Sequence, residues 1–333
     1  MVTLDNFIID LTVSALKLST PIIIAAIGET FAERSGVLNI GIEGGMLTSA
    51  FVAYLVSIAT GNALLGIASG VLTGGIFGVV HAYLTVITGA DQIVTGVGIN
   101  LFSLGLSTFL YKHFLDLFGQ VYSPGLPAVS IGLARQVPVL RILEQTPFVY
   151  ISILLAITSW IVLFRSHFGL KVTASGEHPL AAETAGIDVH RIRCVCVIIG
   201  GLMAGLAGAS LSLGLLNLFT ENMVQGRGFV AVAIVILGNW TPINVFAGGL
   251  IFGAMDSLQM RLQAMGTTVP YPLLLMLPYL FVTVALAIGR VKMPQMLCVP
   301  YVKEKKRRRT LLWHVPSALT RSGRSPRTRD DAL

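Results

Sequence analysis

Residues 29–47 read ETFAERSGVLNIGIEGGML, and this stretch combines charge with helix-weakening residues inside apolar surroundings. It contains three glutamates and an arginine, together with Gly41, Gly44 and Gly45. Glycine lowers helix stability because its backbone loses more conformational freedom on folding than that of other residues. About twenty apolar residues lie on either side, which is the length that crosses a bilayer core. The stretch therefore predicts an interruption between two membrane helices.

The composition is that of a polytopic membrane protein. Of 333 residues, 54% are hydrophobic and 12% are charged, and the mean hydropathy is +0.79. Soluble chains hold about 25% charged residues. The apolar runs are spread evenly, so we expect one transmembrane domain, residues 1–300, followed by a basic, disordered cytoplasmic tail, 301–333. Residues 1–16 lack the basic start of a signal peptide, so the first run is expected to remain a membrane helix.

Apolar runs of sufficient length predict an all-α fold, a polytopic transmembrane helix bundle with about eight spans. A shorter run, 229–238, cannot cross alone and is expected to form a half-helix or re-entrant segment. The predicted spans are 8–27, 36–56, 63–88, 93–111, 148–164, 192–216, 243–262 and 270–289. Glycines spaced by four, as in Gly70–Gly74–Gly78, Gly201–Gly205 and Gly249–Gly253, predict close helix packing.

The distribution of basic residues predicts the orientation. Of the 23 lysines and arginines, 12 lie between Arg290 and Arg329, which places the C-terminus in the cytoplasm. The loop 165–193 adds four more and is predicted to be cytoplasmic, whereas the loop 112–147 is predicted to be external. The protein is therefore expected to be a multi-pass protein of the cytoplasmic (inner) membrane.

The glutamates of the opening stretch are expected to differ in environment. Glu29 and Glu33 are predicted to lie in a cytoplasmic turn, where charge is well tolerated. Glu43 would lie about 10 Å along a straight helix from Gly36. A charged acid at the bilayer centre costs roughly 2.5–3.5 kcal/mol, so Glu43 should face a polar cavity or bind free backbone groups. Two roles are open for Glu43: one is to line a pathway or gate, and the other is to act as a structural clamp.

The sequence lacks three motifs that are typical of catalytic or nucleotide-binding sites. We find no GxxxxGK[ST] loop for ATP, no HExxH and no GxSxG motif. The three cysteines, Cys194, Cys196 and Cys298, do not have the spacing of a metal site or a disulfide framework. The sequence therefore disfavours an enzyme and predicts no metal site.

The loop Gly169–Arg193 reads GLKVTASGEHPLAAETAGIDVHRIR and predicts a short, capped helix. Pro179 suits a first helical position, and Gly186 suits a helix end. Two turns are marginal in isolation because helix nucleation is costly. This helix should therefore lie against its own bundle or against a partner.

Five segments, taken in order, resemble one family of transport proteins. The segments are AERSGVLNIGIEGGML, GADQIVTGVGINLFSLGLSTFL, ASGEHPLAAETAGIDVHRIRC, GGLMAGLAGASLSL and GRGFVAVAIVILGNWTP. They are similar to the permease subunits of ABC importers for simple sugars and nucleosides, in the group that includes the ribose and branched-chain amino-acid permeases. The segment GADQIVTGVGINL is most similar to the nucleoside-type permeases.

The resemblance implies a transport subunit without its own ATPase site that moves nucleosides or simple sugars inward. Its expected partners are a second permease that is a related, different chain, a cytoplasmic ABC ATPase, an extracytoplasmic solute-binding protein and membrane lipid, with no nucleic acid. No cofactor is expected on this chain, and ATP-Mg is expected on the ATPase. The residues that correspond to the family's coupling helix are Gly176, Glu177, Pro179, Ala181, Ala182, Glu183, Ala185 and Gly186.

Neutral polar residues in the predicted spans favour an uncharged, hydroxyl-rich solute. The candidate pathway residues are Asn39, Gly41, Glu43, Gln92, Asn100 and Phe102. The alternative function is an ion-gradient-driven secondary transporter of a small polar solute. It would have to use Glu43, Asp256, His81 or Lys17, which form no recognisable relay in the sequence. The exact solute, and whether the two permeases are identical, are left open by the sequence.

Overall fold

The computed structural model describes residues 4–118, 121–129, 138–266, 269–289 and 292–301. Except for Tyr301, the predicted tail 301–333 lies outside these ranges. The regular secondary structure of these residues is helical. A π-helical turn, Tyr83–Ile87, extends the third α-helix, and another, Leu211–Leu215, extends the eighth. The helices are α1 (Leu4–Arg34), α2 (Ile42–Thr60), α3 (Ala63–Ala82), α4 (Gln92–Phe118), α5 (Pro147–Arg165), α6 (His167–Glu177), α7 (Pro179–Thr184), α8 (Val189–Ser210), α9 (Arg227–Leu237), α10 (Pro242–Ala264) and α11 (Tyr271–Ile288).

The predicted all-α membrane bundle is confirmed. Each of the eight predicted spans falls on a helix, namely α1 to α5, α8, α10 and α11. In the described ranges, six helices have the length and apolarity to cross a membrane, and they are α1 to α5 and α8 with its π-helical turn. Helix α10 is 23 residues long but carries Asp256 and Arg261, and α11 has 18 residues.

The boundary between the first two spans differs from the prediction. Residues 36–41 were predicted to be helical, but α1 ends at Arg34 and α2 begins only at Ile42. Gly36 has a φ of +96°, and the amide of Val37 bonds to the carbonyl of Ala32 at 3.0 Å. This left-handed glycine terminates the helix in the usual way for a C-terminal cap.

The short run predicted as a half-helix forms α9. Its 11 residues span roughly 16 Å at 1.5 Å per residue, about half of a bilayer core. Helix α9 packs on α1, α2, α10 and α11. It is therefore a half-helix held inside the bundle, as the length of the apolar run predicted.

The predicted small-residue ridges bring helices into backbone contact. A Cβ at Gly74 of α3 would lie 2.3 Å from the carbonyl oxygen of Gly201 of α8. A Cβ at Gly253 of α10 would lie 2.6 Å from the carbonyl oxygen of Ala15 of α1. These contacts confirm the packing prediction and show close approach of α3 to α8 and of α10 to α1.

The outer helices present apolar side chains outwards. Leu72 and Ile76 on α3 are 65% and 64% exposed, and Leu154 on α5 is 60% exposed. By contrast, Ile22 to Ile27 of α1 are almost completely buried. Exposed apolar side chains on an apolar helix are typical of contact with lipid or with another membrane subunit.

Candidate functional site

The segment 35–41 between α1 and α2, here named the break, is not helical, so its backbone groups need partners from elsewhere. The amide of Leu38 donates to Oε1 of Gln92 at 2.8 Å. The amide of Asn39 donates to Oε1 of Glu29 at 2.7 Å. Nε2 of His81 lies 3.3 Å from the carbonyl oxygen of Leu38. Irregular backbone inside a membrane protein is stable only where such groups are satisfied by protein or water.

Asn100 fastens the end of the break to the start of α2. Its Nδ2 donates to the carbonyl of Ile40 at 3.0 Å, and its Oδ1 accepts from the amide of Gly44 at 2.8 Å. Gly41 packs closely in the same place, because a Cβ there would lie 3.2 Å from the side chain of Ile99. One amide side chain therefore bridges two backbone groups on either side of the helix start.

Glu43 joins the start of α2 to the start of α9. Its Oε1 accepts from the amide of Gly226 and its Oε2 from the amide of Gly228, each at 2.7 Å. These amides lie at the N-terminus of α9, where unpaired N–H groups and the helix dipole favour a carboxylate. A Cβ at Gly228 would lie 2.7 Å from Cα of Glu43, so the contact requires glycine.

The expected position of Glu43, about 10 Å along a straight helix from Gly36, is wrong. The break intervenes, and Glu43 lies in the first turn of α2. Its contacts are those of a clamp between two helices. A role for Glu43 in the solute pathway stays a prediction.

The prediction that Glu29 and Glu33 lie in a turn, where charge is well tolerated, is also wrong. Both side chains belong to α1 and are fully buried. Oε2 of Glu33 accepts from Nε1 of Trp240 at 2.5 Å, and Glu29 holds the break. The cause is that the break and the chain after α9 fold back over the end of α1 and cover it.

The six predicted pathway residues do not all meet. Asn39, Gly41, Glu43, Gln92 and Asn100 lie in or against the break. Phe102 is separate: it is 61% exposed on α4, with its ring 6.5 Å from that of Phe77 on α3. The break is therefore built mainly from residues that the sequence singled out, while Phe102 belongs to a different surface.

The four titratable groups required by the alternative mechanism do not form one cluster. Lys17 lies beside Thr146 and Phe148, and His81 lies beside Leu38. Glu43 binds the start of α9, and Asp256 is on α10. Glu43 and Asp256 both lie near Arg227, whereas Lys17 and His81 have other neighbours, so the four groups do not form one relay. In the described ranges no group of three or more His, Cys, Asp or Glu side chains is arranged to hold a metal ion.

The predicted short helix of the loop 165–193 is α7. Pro179 occupies its first turn, and Gly186 follows it with a φ of +83°. The amide of Gly186 bonds to the carbonyl of Glu183 at 2.9 Å, which closes the helix. Pro179 and Ala182 face the protein, whereas Leu180, Ala181 and Ala185 are exposed. Helix α7 therefore rests on the bundle through one face and presents Leu180 together with small residues outwards.

The base of this loop is fastened to α1 and to the segment 292–300. A Cβ at Gly176 would lie 2.1 Å from the carbonyl oxygen of Arg34, so α6 touches the end of α1. The carbonyl of Gly176 also accepts from the amide of Met296 at 2.9 Å. Oε2 of Glu177 accepts a longer bond, 3.4 Å, from the amide of Gln295.

Two arginines to which the sequence analysis gave no contacts hold this region together. Arg193 is 2% exposed and donates to the carbonyls of Ser175, at 3.3 Å, and Val299, at 2.9 Å. Arg34 donates to the carbonyl of Trp240 and to the hydroxyl of Thr173, each at 3.1 Å. An arginine at a membrane boundary gives no sequence signal that separates this role from charge placement.

Comparison with known proteins identifies the relatives of the chain. Residues 11–286 match the family described as branched-chain amino acid transport system / permease component. The guanosine ABC transporter permease protein NupQ of Bacillus subtilis is 35% identical over 310 residues, which are 88% of this chain and 96% of that protein. A putative glucose ABC transporter permease protein of Haloferax volcanii is 35% identical over 266 residues, 78% of this chain and 80% of that one.

A second guanosine ABC transporter permease protein of Bacillus subtilis, NupP, is 25% identical over 252 residues, 71% of each chain. The family match covers most of the residues that form the helices above. The chain is thus a multi-pass membrane protein that belongs to the family of branched-chain amino acid transport system permease components.

Proposed function

We propose that this chain is a permease subunit of an ABC importer that carries nucleosides inward. The observation that carries the proposal is the 35% identity to a guanosine permease over 96% of that protein's length. A glucose permease of equal identity is matched over 80% of its length, so simple sugars form the second substrate class.

Transport in this proposal is driven by partner subunits. Helix α7 is the contact with a cytoplasmic ABC ATPase, which binds ATP-Mg and supplies the energy. The exposed face of α7 supports this role, because Leu180 and the alanines beside it are apolar side chains available to another protein. Movement of α7 would pass through α6 to the end of α1, which Gly176 touches.

The importer is proposed to contain two different permease chains. Bacillus subtilis has two guanosine ABC transporter permease proteins, and both are similar to this chain. An extracytoplasmic solute-binding protein would deliver the solute, and lipid would cover the remaining apolar surface. The C-terminus is placed in the cytoplasm because 12 of the 23 basic residues lie between Arg290 and Arg329. Residues 1–300 would form the permease domain and 301–333 a basic tail.

The test of the function is uptake by the complete complex in proteoliposomes. We expect ATP-dependent uptake of labelled guanosine, with competition by unlabelled guanosine or uridine and little competition by glutamate. A charged amino acid would bring charges that need ionic partners, and an unpaired buried charge is costly. Competition by the amino acid but not by nucleosides or sugars would contradict the solute class. Competition by ribose alone would move the assignment to simple sugars.

The coupling role of α7 predicts a specific defect for Gly186→Leu. A leucine at this left-handed position is strained by roughly 1–2 kcal/mol, and it adds bulk to the exposed end of α7. We expect the complex to remain in the membrane and hydrolyse ATP, while guanosine uptake falls. The change Glu183→Lys should act in the same direction by reversing a charge on α7.

Gly61→Leu is the matched control, since Gly61 also has a positive φ of 67° and open space around it. It ends α2, away from the coupling loop. Equal losses of uptake in the two leucine variants would assign the effect to backbone strain and contradict the coupling role.

A further inference from the structure

The chain between α8 and α9, residues 216–226, is not helical and is named here the descending loop. Near one end the buried ring of Phe219 packs on Phe51 of α2, with the ring centroids 5.2 Å apart. At the other end the amide of Gly226 donates to Glu43 of α2 at 2.7 Å. Phe51 follows Glu43 by eight residues in α2, which is about 12 Å of helix. The loop therefore descends about 12 Å along α2 before α9 begins.

The Gly226 end of the loop lies deep in the bundle. Helix α9 follows it directly, and its 11 residues are about 16 Å long. Just beyond α9, Trp240 donates to Glu33 and accepts from Arg34, at the end of α1. Gly226 is thus separated from the end of α1 by the length of α9, about half of a bilayer core of about 30 Å. This part of the loop lies at hydrocarbon depth.

Two side chains of the descending loop are polar and exposed. Met223 and Val224 are buried, whereas Asn222 and Gln225 on either side of them are exposed. In the part of the chain that the structure describes, neither of these two side-chain amides has a hydrogen-bond partner. The backbone amide of Gln225 bonds to the carbonyl of Asn222 at 3.2 Å, which closes the turn between them. The protein therefore fixes the backbone here and leaves both side-chain amides open.

Lipid is a poor neighbour for these amides. Hydrocarbon offers no hydrogen-bond partner, and a polar group that lacks one is costly there. Polar residues at membrane depth usually face the bundle interior or a water-filled cavity. The nearby guanidinium of Arg227 donates to the carbonyls of Met223 and Val224, at 3.1 and 3.3 Å, and is thus engaged by the loop itself. Water and a passing solute are the partners that fit the open amides.

The chemistry of the loop favours an uncharged solute. An amide side chain both donates and accepts hydrogen bonds, so it can replace water on ribose hydroxyls or on the edge of a base. Phe229 of α9 is 49% exposed and offers an aromatic face, on which a base can stack. An anion would approach the carboxylates of Glu43 and Asp256, which both lie near Arg227. A nucleoside therefore fits this place better than an anion.

We propose that the descending loop lines the solute route, and that the side-chain amides of Asn222 and Gln225 bind the nucleoside as it crosses the membrane. The inference rests on the proposed function and adds to it the residues that contact the solute. The second permease is the competing neighbour of this surface, since its polar groups could pair with the same amides.

Water access is tested with Gln225→Cys and the lipid-facing control Leu154→Cys, since Leu154 is a 60% exposed residue of the apolar helix α5. The probe is a methanethiosulfonate reagent with a fixed positive charge, applied to the complete complex in proteoliposomes. Modification is read residue by residue by mass spectrometry, so the native cysteines do not interfere. The reagent attacks the thiolate, which forms in water but not in hydrocarbon, so we expect modification about tenfold faster at position 225 than at 154. Guanosine should slow the reaction at position 225.

Contact with the solute is tested with glycine variants. Asn222 and Gln225 have φ values of 52° and 50°, which glycine adopts without strain. We expect Asn222→Gly and Gln225→Gly each to lower guanosine uptake about fivefold, the effect of one hydrogen bond. Basal ATPase activity and the melting temperature should not change. Gln225→Asn keeps an amide in a conformation that asparagine tolerates, so it should restore most of the uptake.

Asn217→Gly is the matched control for these variants. Asn217 also has a positive φ, 53°, but it precedes Phe219 and its side chain lies against Gly125. Its uptake should stay close to that of the unmodified protein. Equal uptake by the three glycine variants would overturn the proposed contacts.

The outcomes separate this inference from the proposed function. Fast modification at position 225 that guanosine slows would support the route. Modification there as slow as at position 154, with normal uptake, would overturn the inference and assign the loop to the interface with the second permease. Absence of nucleoside uptake by the unmodified complex would overturn the function itself. Water access at position 225 is measured without solute, so it is decided separately.

Discussion

Replacing Glu43 by alanine is expected to destabilise the protein by roughly 3–6 kcal/mol, the sum of two hydrogen bonds to a charged group at about 1.5–3 kcal/mol each. The carboxylate accepts from the amides of both Gly226 and Gly228, and alanine would leave those two donors unpaired. Arg227, between them, would also lose a nearby negative charge. The measurement is the melting temperature of the detergent-solubilised complex together with its guanosine uptake.

The control for this prediction is Glu221→Ala. Glu221 is a half-exposed carboxylate whose Oε1 lies 3.8 Å from Nζ of Lys112. Surface pairs of this kind contribute about 0–1 kcal/mol, so the variant should melt near the unmodified protein. Glu43→Gln should be intermediate, since its amide oxygen can still accept one bond. Similar melting of Glu43→Ala and Glu221→Ala would show that the contact with α9 does not hold the bundle together.

Arg193→Ala is expected to uncouple ATP hydrolysis from transport. The guanidinium is buried and connects the carbonyls of Ser175 on α6 and Val299 in the segment 292–300. It also lies close to Gly36, because a Cβ there would be 2.6 Å from Nη2. Without this group α6 loses one of its attachments to the rest of the bundle. We expect guanosine uptake per ATP hydrolysed to fall about tenfold, which is roughly 1.4 kcal/mol of lost coupling.

The ratio of uptake to hydrolysis separates positioning from simple instability, because unfolding would lower both rates together. Arg193→Lys keeps one charged donor but not the planar fork, so it should restore part of the ratio. Arg191→Ala is the control, since Arg191 is exposed and forms an ion pair with its near neighbour Asp188 at 3.2 Å. A normal ratio in Arg193→Ala would mean that motion of α7 reaches α1 by another route.

The sequence predicted the helices well because lipid imposes a simple requirement. A run of about twenty apolar residues must satisfy its backbone internally, so each such run becomes a helix. The half-helix α9 was predicted by the same argument, since its apolar run is too short to cross the membrane. Local signals also predicted the ends of α7, where Pro179 and Gly186 act through their own backbone geometry.

The site was less predictable because its partners are distant along the chain. Trp240, which covers Glu33, is 207 residues away from it, and Gly226 is 183 residues from Glu43. No local pattern shows that Glu29 and Glu33 are buried, since an acid near a helix end normally reaches water. Gln92 and Asn100 were selected as neutral polar residues, but their bonds to the break depend on how α4 packs.

The clamp between Glu43 and α9 has a consequence for biosynthesis. Gly226 and Gly228 are made 183 and 185 residues after Glu43. At about 5–20 residues per second, the ribosome needs roughly 10–40 seconds to reach them. During that interval α2 is in the membrane, and the side chain of Glu43 faces the position that α9 will later occupy. We therefore expect Glu43 of the nascent chain to stay in contact with water or with the insertion machinery. We expect the chain to leave that machinery only after α9 has arrived.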